Sequence, residues 1–171
     1  MNIKIKDIIK FGQYNWQVLY VHDNKALLLL DGLLKKLRFY HDKQEPVTWE
    51  TCKLCEWLNE KWINRKFSSE YKDCILEVAN ANNDNFRYNI KTDKVFLLSI
   101  DEYELYRGII NNAVSWWWLR SPGYIPYFAA YVFTTGDLNL CGRIVSSSGR
   151  VGGGVRPALW LDIESYKSME V

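Results

Sequence analysis

The spacing of apolar residues changes period twice along this chain, and that order limits the folds open to it. Over residues 14–21 apolar and polar positions alternate, with Trp16, Val18 and Tyr20 on one side and Gln17 and Leu19 on the other. That is the two-residue period of a strand. Residues 25–30 form a short apolar run, and the Asp23-Asn24 pair between the two runs predicts a hairpin. The period then lengthens to four: Leu54, Leu58 and Trp62 form a helical stripe that Trp57 widens, with Thr48 as the expected N-cap and Glu50 in the first turn. A second helix is expected from Ser68 or Ser69, burying Tyr71, Ile75 and Val78, and the Asn-rich stretch 80–89 reads as a loop. Residues 95–98 read as a buried strand. Ser99 and Glu102 then form a capping box, with Leu98 stapled onto Tyr103, opening a third helix near 101–110.

The last third returns to strands. Residues 116–120 are β-prone and meet the turn Ser121-Pro122-Gly123, after which short strand-like pieces are broken by Gly136, Gly142, Gly149 and the glycines at 152–154. Residues 155–163 resume as an apolar strand interrupted by Pro157. Strands, then helices, then strands argue for an α+β fold and against repeated βαβ units. The chain has 171 residues, which fits one domain over 1–171, and it shows no internal repeat.

Composition removes several functions. A net charge of +2 is too balanced for a protein that grips nucleic-acid backbone. No apolar run reaches the length of a membrane span. The opening MNIKIKDIIKF lacks the apolar core and cleavage site of a secretory signal, so a cytoplasmic or virion-associated protein is expected. Cys52 and Cys55 form a CxxC on a predicted helix, but there is no second CxxC, and His22 and His41 lie far upstream. A structural zinc needs four ligands, so Cys52, Cys55, Cys74 and Cys141 are read as ordinary thiols, and no metal or cofactor is expected.

Residues 124–150 use a restricted alphabet. This window of 27 residues contains no Lys, Glu, Gln, Met or Trp. At the frequency of the rest of the chain about seven would fall there, a large deficit for a stretch that is not low-complexity. Codons ending in a pyrimidine exclude those five residues and can encode every residue that does appear. Randomising the first two bases of such codons would leave this pattern. A Gly- and Ser-rich β-loop region that happens to lack long polar side chains is the plainer alternative. The window is also suited to contact: Tyr124, Ile125, Tyr127, Phe128, Tyr131 and Phe133 crowd into ten positions, with Ser, Asn and Arg beyond them, a composition like that of an antibody paratope. Strand alternation would turn some of these rings into the core, though Tyr127 and Phe128 cannot both point inward from one strand.

The segments FGQYNWQVLYVHDNKALLLL, TWETCKLCEWLNEKW, DKVFLLS followed by IDEYE, WWLRSPG and GVRPALWLDI together resemble a bacterial and phage domain family of unknown function, DUF6273, over about residues 11–163. Domains of this kind look related to the C-type lectin fold shared with formylglycine-generating enzymes. The resemblance therefore implies small antiparallel sheets, two main helices and a loop-rich C-terminal half. Some such domains serve as variable proteins of diversity-generating retroelements, in which a reverse transcriptase mutates template adenines and so diversifies AAY codons near the C-terminus.

On that reading 116–161 holds a fixed frame: residues 117–123, Ala129, Ala130, Val132, Gly136, Leu138, Gly142, Val145 and 154–161. Between these lie the expected ligand-binding positions. Tyr124, Ile125, Tyr127, Phe128, Tyr131 and Phe133 would supply aromatic and apolar anchors. Thr135, Asp137, Asn139, Leu140, Arg143, Ile144, Ser147 and Arg150 complete the set; the polar residues of 139–150 would set selectivity, and Arg143 and Arg150 are typical anchor types. Arg120 and Arg156, in the frame, are expected to brace loops by hydrogen bonds to backbone, over a Trp core with Trp160 at its lower edge.

The expected function is then binding of a macromolecular target, a protein or glycan on a bacterial surface, with docking to a phage fibre or other carrier open. No nucleic acid, membrane insertion or catalysis is expected. An enzyme related to the formylglycine-generating enzymes would need a reactive cysteine pair in the C-terminal half, where only Cys141 occurs, and no nucleophile triad, HExxH or nucleotide-binding glycine motif is present. Calcium-dependent sugar binding would need Glu-Pro-Asn or Gln-Pro-Asp with a downstream Trp-Asn-Asp. Only Glu45-Pro46-Val47 occurs, in the wrong region, and Asp137 is the sole carboxylate of the window. Fixed-specificity, calcium-free carbohydrate binding, by stacking on Tyr124 or Tyr127, stays open.

Overall fold

The hairpin at Asp23-Asn24 forms, and it anchors the larger sheet of the computed structural model, which describes residues 2–34, 40–79, 92–146 and 153–169. β1 (Ile8–Phe11), β2 (Tyr14–His22) and β3 (Lys25–Leu30) run antiparallel in chain order. The C-terminal strand β11 (Ala158–Asp162) pairs with β3, setting Trp160 opposite Leu27. A two-residue strand, β4 (Ile75–Leu76), closes the far edge against β11. Asp23 takes a positive φ of 51° to make the turn. That strain of about 1–2 kcal/mol is outweighed by the four buried leucines of β3, each contributing roughly 1.5–3 kcal/mol.

β2 departs from simple alternation. Trp16, Gln17, Val18 and Leu19 are all buried, because both faces of the strand are covered, and the register shifts between Val18 and Tyr20. Gln17 survives burial because its amide donates to the Ile109 carbonyl at 2.6 Å and accepts from the Asn111 N–H at 2.9 Å.

The middle of the chain differs from the sequence expectation at several points, among them residues 95–98, which make only the isolated bridge Phe96–Ala158 in place of a strand. Thr48 caps only a 3₁₀ turn, Trp49–Thr51. The helix over 53–66 is capped instead by Cys52, whose backbone is extended and whose Sγ accepts the Cys55 N–H at 3.3 Å. Its middle, Trp57–Trp62, is wound as a π-helix, and there Asn59 reaches across to bond the backbone of Lys94 and Val95 at 2.8–3.0 Å. Leu54, Leu58 and Trp62 are buried as their spacing requires. The second helix, Ser69–Asp73, is a little over one turn. Ile75 and Val78 leave it for β4 and for β5 (Val78–Ala79), which pairs with β6 (Thr92–Asp93), since the open edge of β11 offers Ile75 a ladder partner in Leu161. The third helix, Ile100–Tyr106, starts at the Ser99–Glu102 capping box as expected but is shorter. A terminal helix, Ile163–Met169, had no sequence expectation. The loop expected at 80–89 lies outside the described residues.

The second sheet is built on β7 (Trp116–Pro122). β8 (Phe128–Val132) and β9 (Leu138–Ile144) follow antiparallel, and β10 (Gly153–Gly154) runs parallel on β7's other side. Two buried arginines tie the second sheet to its surroundings, Arg120 to the third helix and the segment before it and Arg156 to the larger sheet. Arg120 donates to the Leu97 carbonyl at 2.8 Å and pairs with Glu102. Arg156 donates to Leu30 and Asn111 carbonyls, both at 2.8 Å. Burial lowers the Arg156 guanidinium to about 10, with Asp31 and Tyr103 opposing the shift. The architecture is α+β, with small, mainly antiparallel sheets and few helices.

Candidate functional site

β7 is buried along six consecutive residues, so its two faces serve different neighbours. On one face Trp117 meets Tyr103 edge-on at 5.6 Å and lies under the Arg156 guanidinium at 5.3 Å. On the other, Trp116 and Trp118 meet edge-to-face at 4.8 Å. Tyr131 of β8 joins that pair at 5.3 Å from Trp116, Phe133 extends the row at 4.9 Å from Tyr131, and Arg143 of β9 lies over Trp116 at 4.8 Å and Tyr131 at 5.6 Å. Tyr40 supports the inner end, stacking edgewise on Trp118 at 5.8 Å and donating its hydroxyl to the Arg120 carbonyl. Burial pushes the Tyr40 phenol well above its ordinary value, with Cys52, Cys55 and Glu50 adding to the rise and Arg120 opposing it. Trp160 is not part of this cluster; it packs against Tyr20 in the larger sheet.

The loops above this row are tied down mostly by main-chain atoms. Gly123 N–H donates to the Phe128 carbonyl, Tyr124 N–H to Cys141, Phe128 N–H to Ile125, Val47 N–H to Pro126 and Val145 N–H to Tyr127, all at 2.8–3.1 Å. Gly142 holds a φ of +81°, and a Cβ there would sit 2.7 Å from the Ala129 carbonyl oxygen. A Cβ on Gly123 would meet the Cys141 carbonyl oxygen at 2.6 Å. The two glycines let strands β8 and β9 and the 123–128 turn approach at backbone distance. The β8–β9 turn closes through Phe133 N–H to Asp137 O and is braced by the Tyr103 hydroxyl, which donates to the Gly136 carbonyl at 2.6 Å.

Of the expected binding residues that the structure describes, five are exposed, six half-buried and one buried. Tyr124 is 89 % exposed, Leu140 57 % and Phe133 40 %. Thr135 and Asp137 are exposed, with the Thr135 hydroxyl donating to the Asp137 carboxylate at 2.7 Å. Ile125, Tyr127, Phe128, Asn139, Arg143 and Ile144 are half-buried. Tyr127 and Phe128 meet edgewise at 5.4 Å, so neither is wholly inside. Asn139 uses its side-chain oxygen to accept the Gly142 N–H. Tyr131 lies inward at 8 % exposure, part of the floor more than of the surface. Ser147 and Arg150 lie outside the described residues.

Sequence reasoning missed Trp116 as the seat of Arg143 and Tyr103 as the brace of the 133–137 turn. Trp116 was legible, since it alternates with Trp117. Tyr103 carried no signal, being 33 positions from Gly136. Among the described residues no group of three His, Cys, Asp or Glu side chains is placed to hold a metal. A separate cleft of about 280 Å³, lined by Glu56, Asn59, Glu60, Lys72, Asp93 and Lys94 among others, shares no residue with this surface.

The model of the family described as Domain of unknown function (DUF6273) matches residues 23–163. The chain belongs to that family. The DUF6273 match opens at the β2–β3 turn, so β1 and all of β2 lie before it, and it ends where the terminal helix begins. It takes in β7 through β11, and with them the frame and the exposed loops described above. No curated protein and no solved structure matches the chain.

Proposed function

We propose that this chain is a non-catalytic binding protein that presents residues 124–150 to a macromolecular target. On this reading the domain is C-type lectin-like, and the segment is the diversified surface of a diversity-generating retroelement. One observation carries the reading. Across 117–161, no described residue read as fixed frame is exposed, whereas of the described positions read as variable only Tyr131 is buried. Exchange of a variable side chain other than Tyr131 therefore leaves the buried core in place, and the tie points of the loops are mostly main-chain atoms that any sequence supplies. The target is a protein or glycan of a bacterial surface, with the carrier a phage or prophage product.

The test is the DNA around the gene. A reverse transcriptase and a near-copy of the segment encoding 116–161, differing almost only at adenines in codons for the exposed positions, is the expected result. Absence of any such copy refutes diversification. A second reading draws on the nearly bare ring of Tyr124, a platform on which a sugar can stack without calcium. It predicts glycan binding that Tyr124→Ala abolishes and no template copy.

A further inference from the structure

We propose that Arg143 is a preorganised clamp for a carboxylate, an Asp or Glu side chain of a protein target flanked by apolar residues. The proposal rests on the binding-surface reading and names the chemistry of its partner.

The arginines of the interior show what makes Arg143 different. Arg120 spends its donors on Glu102 and the Leu97 carbonyl. Arg156 donates through Nε and Nη1 to the Leu30 and Asn111 carbonyls, with only its Nη2 left without a partner among the described residues. Even the surface Arg107 holds Glu104 through both carboxylate oxygens. Arg143 is half-buried, is seated over Trp116 at 4.8 Å and Tyr131 at 5.6 Å, and has no hydrogen-bond or ion-pair acceptor among the described residues. The indole N–H groups of Trp116 and Trp118, in the same cluster, are buried and likewise have no acceptor among the described residues. The cluster is thus rich in donors and short of oxygen.

Seating on two rings satisfies the faces of a guanidinium and leaves its N–H edges, which match a carboxylate in a two-point bond. The seat also removes side-chain freedom before the partner arrives, so less is lost on binding. Arg143 and Arg150 are the only basic residues and Asp137 the only acidic residue between 124 and 150. A polyanion would need several cations, so a lone carboxylate fits better than nucleic acid. The exposed large side chains sharing this sheet and its turns, Phe133, Leu140 and Tyr124, are apolar or aromatic, beside the smaller polar Thr134, Thr135 and Asp137 of the β8–β9 turn. That favours a peptide acid with apolar neighbours over a sugar acid surrounded by hydroxyls. Position 143 is among those read as variable, so the acid preference is this version's own.

The purified full chain is used to select from a displayed random peptide library and, in parallel, is applied to a glycan array containing uronic and sialic acids. The expected result is a set of peptides sharing one Asp or Glu beside an aromatic or aliphatic residue. Exchanging that acid for Asn or Gln should weaken binding roughly 10- to 100-fold, the worth of a charged two-point bond. Arg143→Gln should weaken it equally, Arg143→Lys less, and the combined exchange little further. The peptide exchange keeps the test valid if Arg143→Gln does not fold. Selected peptides with no shared acid overturn the clamp and leave the binding surface standing. Binding of acidic glycans alone overturns the protein source. No enrichment on either probe overturns both the clamp and the binding reading.

Discussion

Replacing Gly142 by alanine separates the frame from the surface it carries. Gly142 lies in β9 at φ +81°, and the added Cβ would stand 2.7 Å from the Ala129 carbonyl oxygen and 2.9 Å from the Gly123 Cα. Both obstacles are backbone, so neither can rotate away. An L-residue held in the left-handed region costs about 1–2 kcal/mol. Shifting packed backbone to relieve the contact adds about 1–3 kcal/mol, the scale of overpacking. The sum is roughly 2–5 kcal/mol, which for a chain of this length lowers the melting temperature by about 4–20 °C. Tyr124→Ala is the control. Its ring is 89 % exposed, so stability should stay within about 0.5 kcal/mol of wild type. Thermal melts followed by circular dichroism, with urea titrations to check the free energies, measure both. A Gly142→Ala melt within about 2 °C of wild type would correspond to a loss of only about 1 kcal/mol or less. The β9 turn would then not be a constrained frame. If Tyr124→Ala falls as far as the sum worked out for Gly142→Ala, the division into frame and exchangeable surface is wrong.

Other consequences follow from the same contacts. Glu102→Ala removes both the capping-box acceptor for Ser99 and the carboxylate partner of buried Arg120, so urea titration should show a loss of about 3–5 kcal/mol, against about 1 kcal/mol for a cap alone. Tyr40 and Tyr103 have phenols raised above 10.0, chiefly by burial. Each therefore stabilises the fold fully below pH 10 and loses that contribution as pH climbs from 10 towards the folded value. Stability measured against pH should decline above 10, and Tyr40→Phe should flatten the decline while costing about 1 kcal/mol at neutral pH for the lost bond to Arg120. Of the four thiols only Cys141 is exposed. A thiol reagent added to native protein should modify Cys141 quickly and Cys52, Cys55 and Cys74 only on unfolding, counted by mass spectrometry.

What was legible in the sequence was local. The Asp23-Asn24 hairpin and the Ser99–Glu102 box are made by neighbours in the chain, and both form where expected. The helix from Ser69 was overextended because Ile75 and Val78 fit a helical stripe as well as they fit strands. The choice was made by β11, whose free edge is more than eighty residues away in sequence and offers Leu161 to Ile75. Thr48 likewise had the chemistry of a cap, yet the extended backbone at Cys52 interrupts the chain three residues after the turn it caps begins.

The surface over 124–146 shows the same limit at finer grain. The family resemblance, and not strand alternation, set the buried Ala129 and Val145 apart from the outward Tyr124 and Phe133, since residues 129–132 are buried in succession. It failed at Tyr131, where the β8–β9 register slips between Ala129 and Tyr131 and the ring drops onto Trp116 and Trp118. A bulge is a property of two strands, and one sequence of letters does not carry it. Yet that slip also seats Arg143 over Tyr131 and Trp116, and so produces a half-buried cation without an internal acceptor among the described residues. If Tyr131 is exchanged for a small residue such as serine, the seat loses one of its rings while the Trp116 ring remains. A carboxylate-bearing peptide selected on the wild type should then bind more weakly although Arg143 itself is intact. An unchanged affinity would mean that the ring beneath Arg143 plays no part in preparing it.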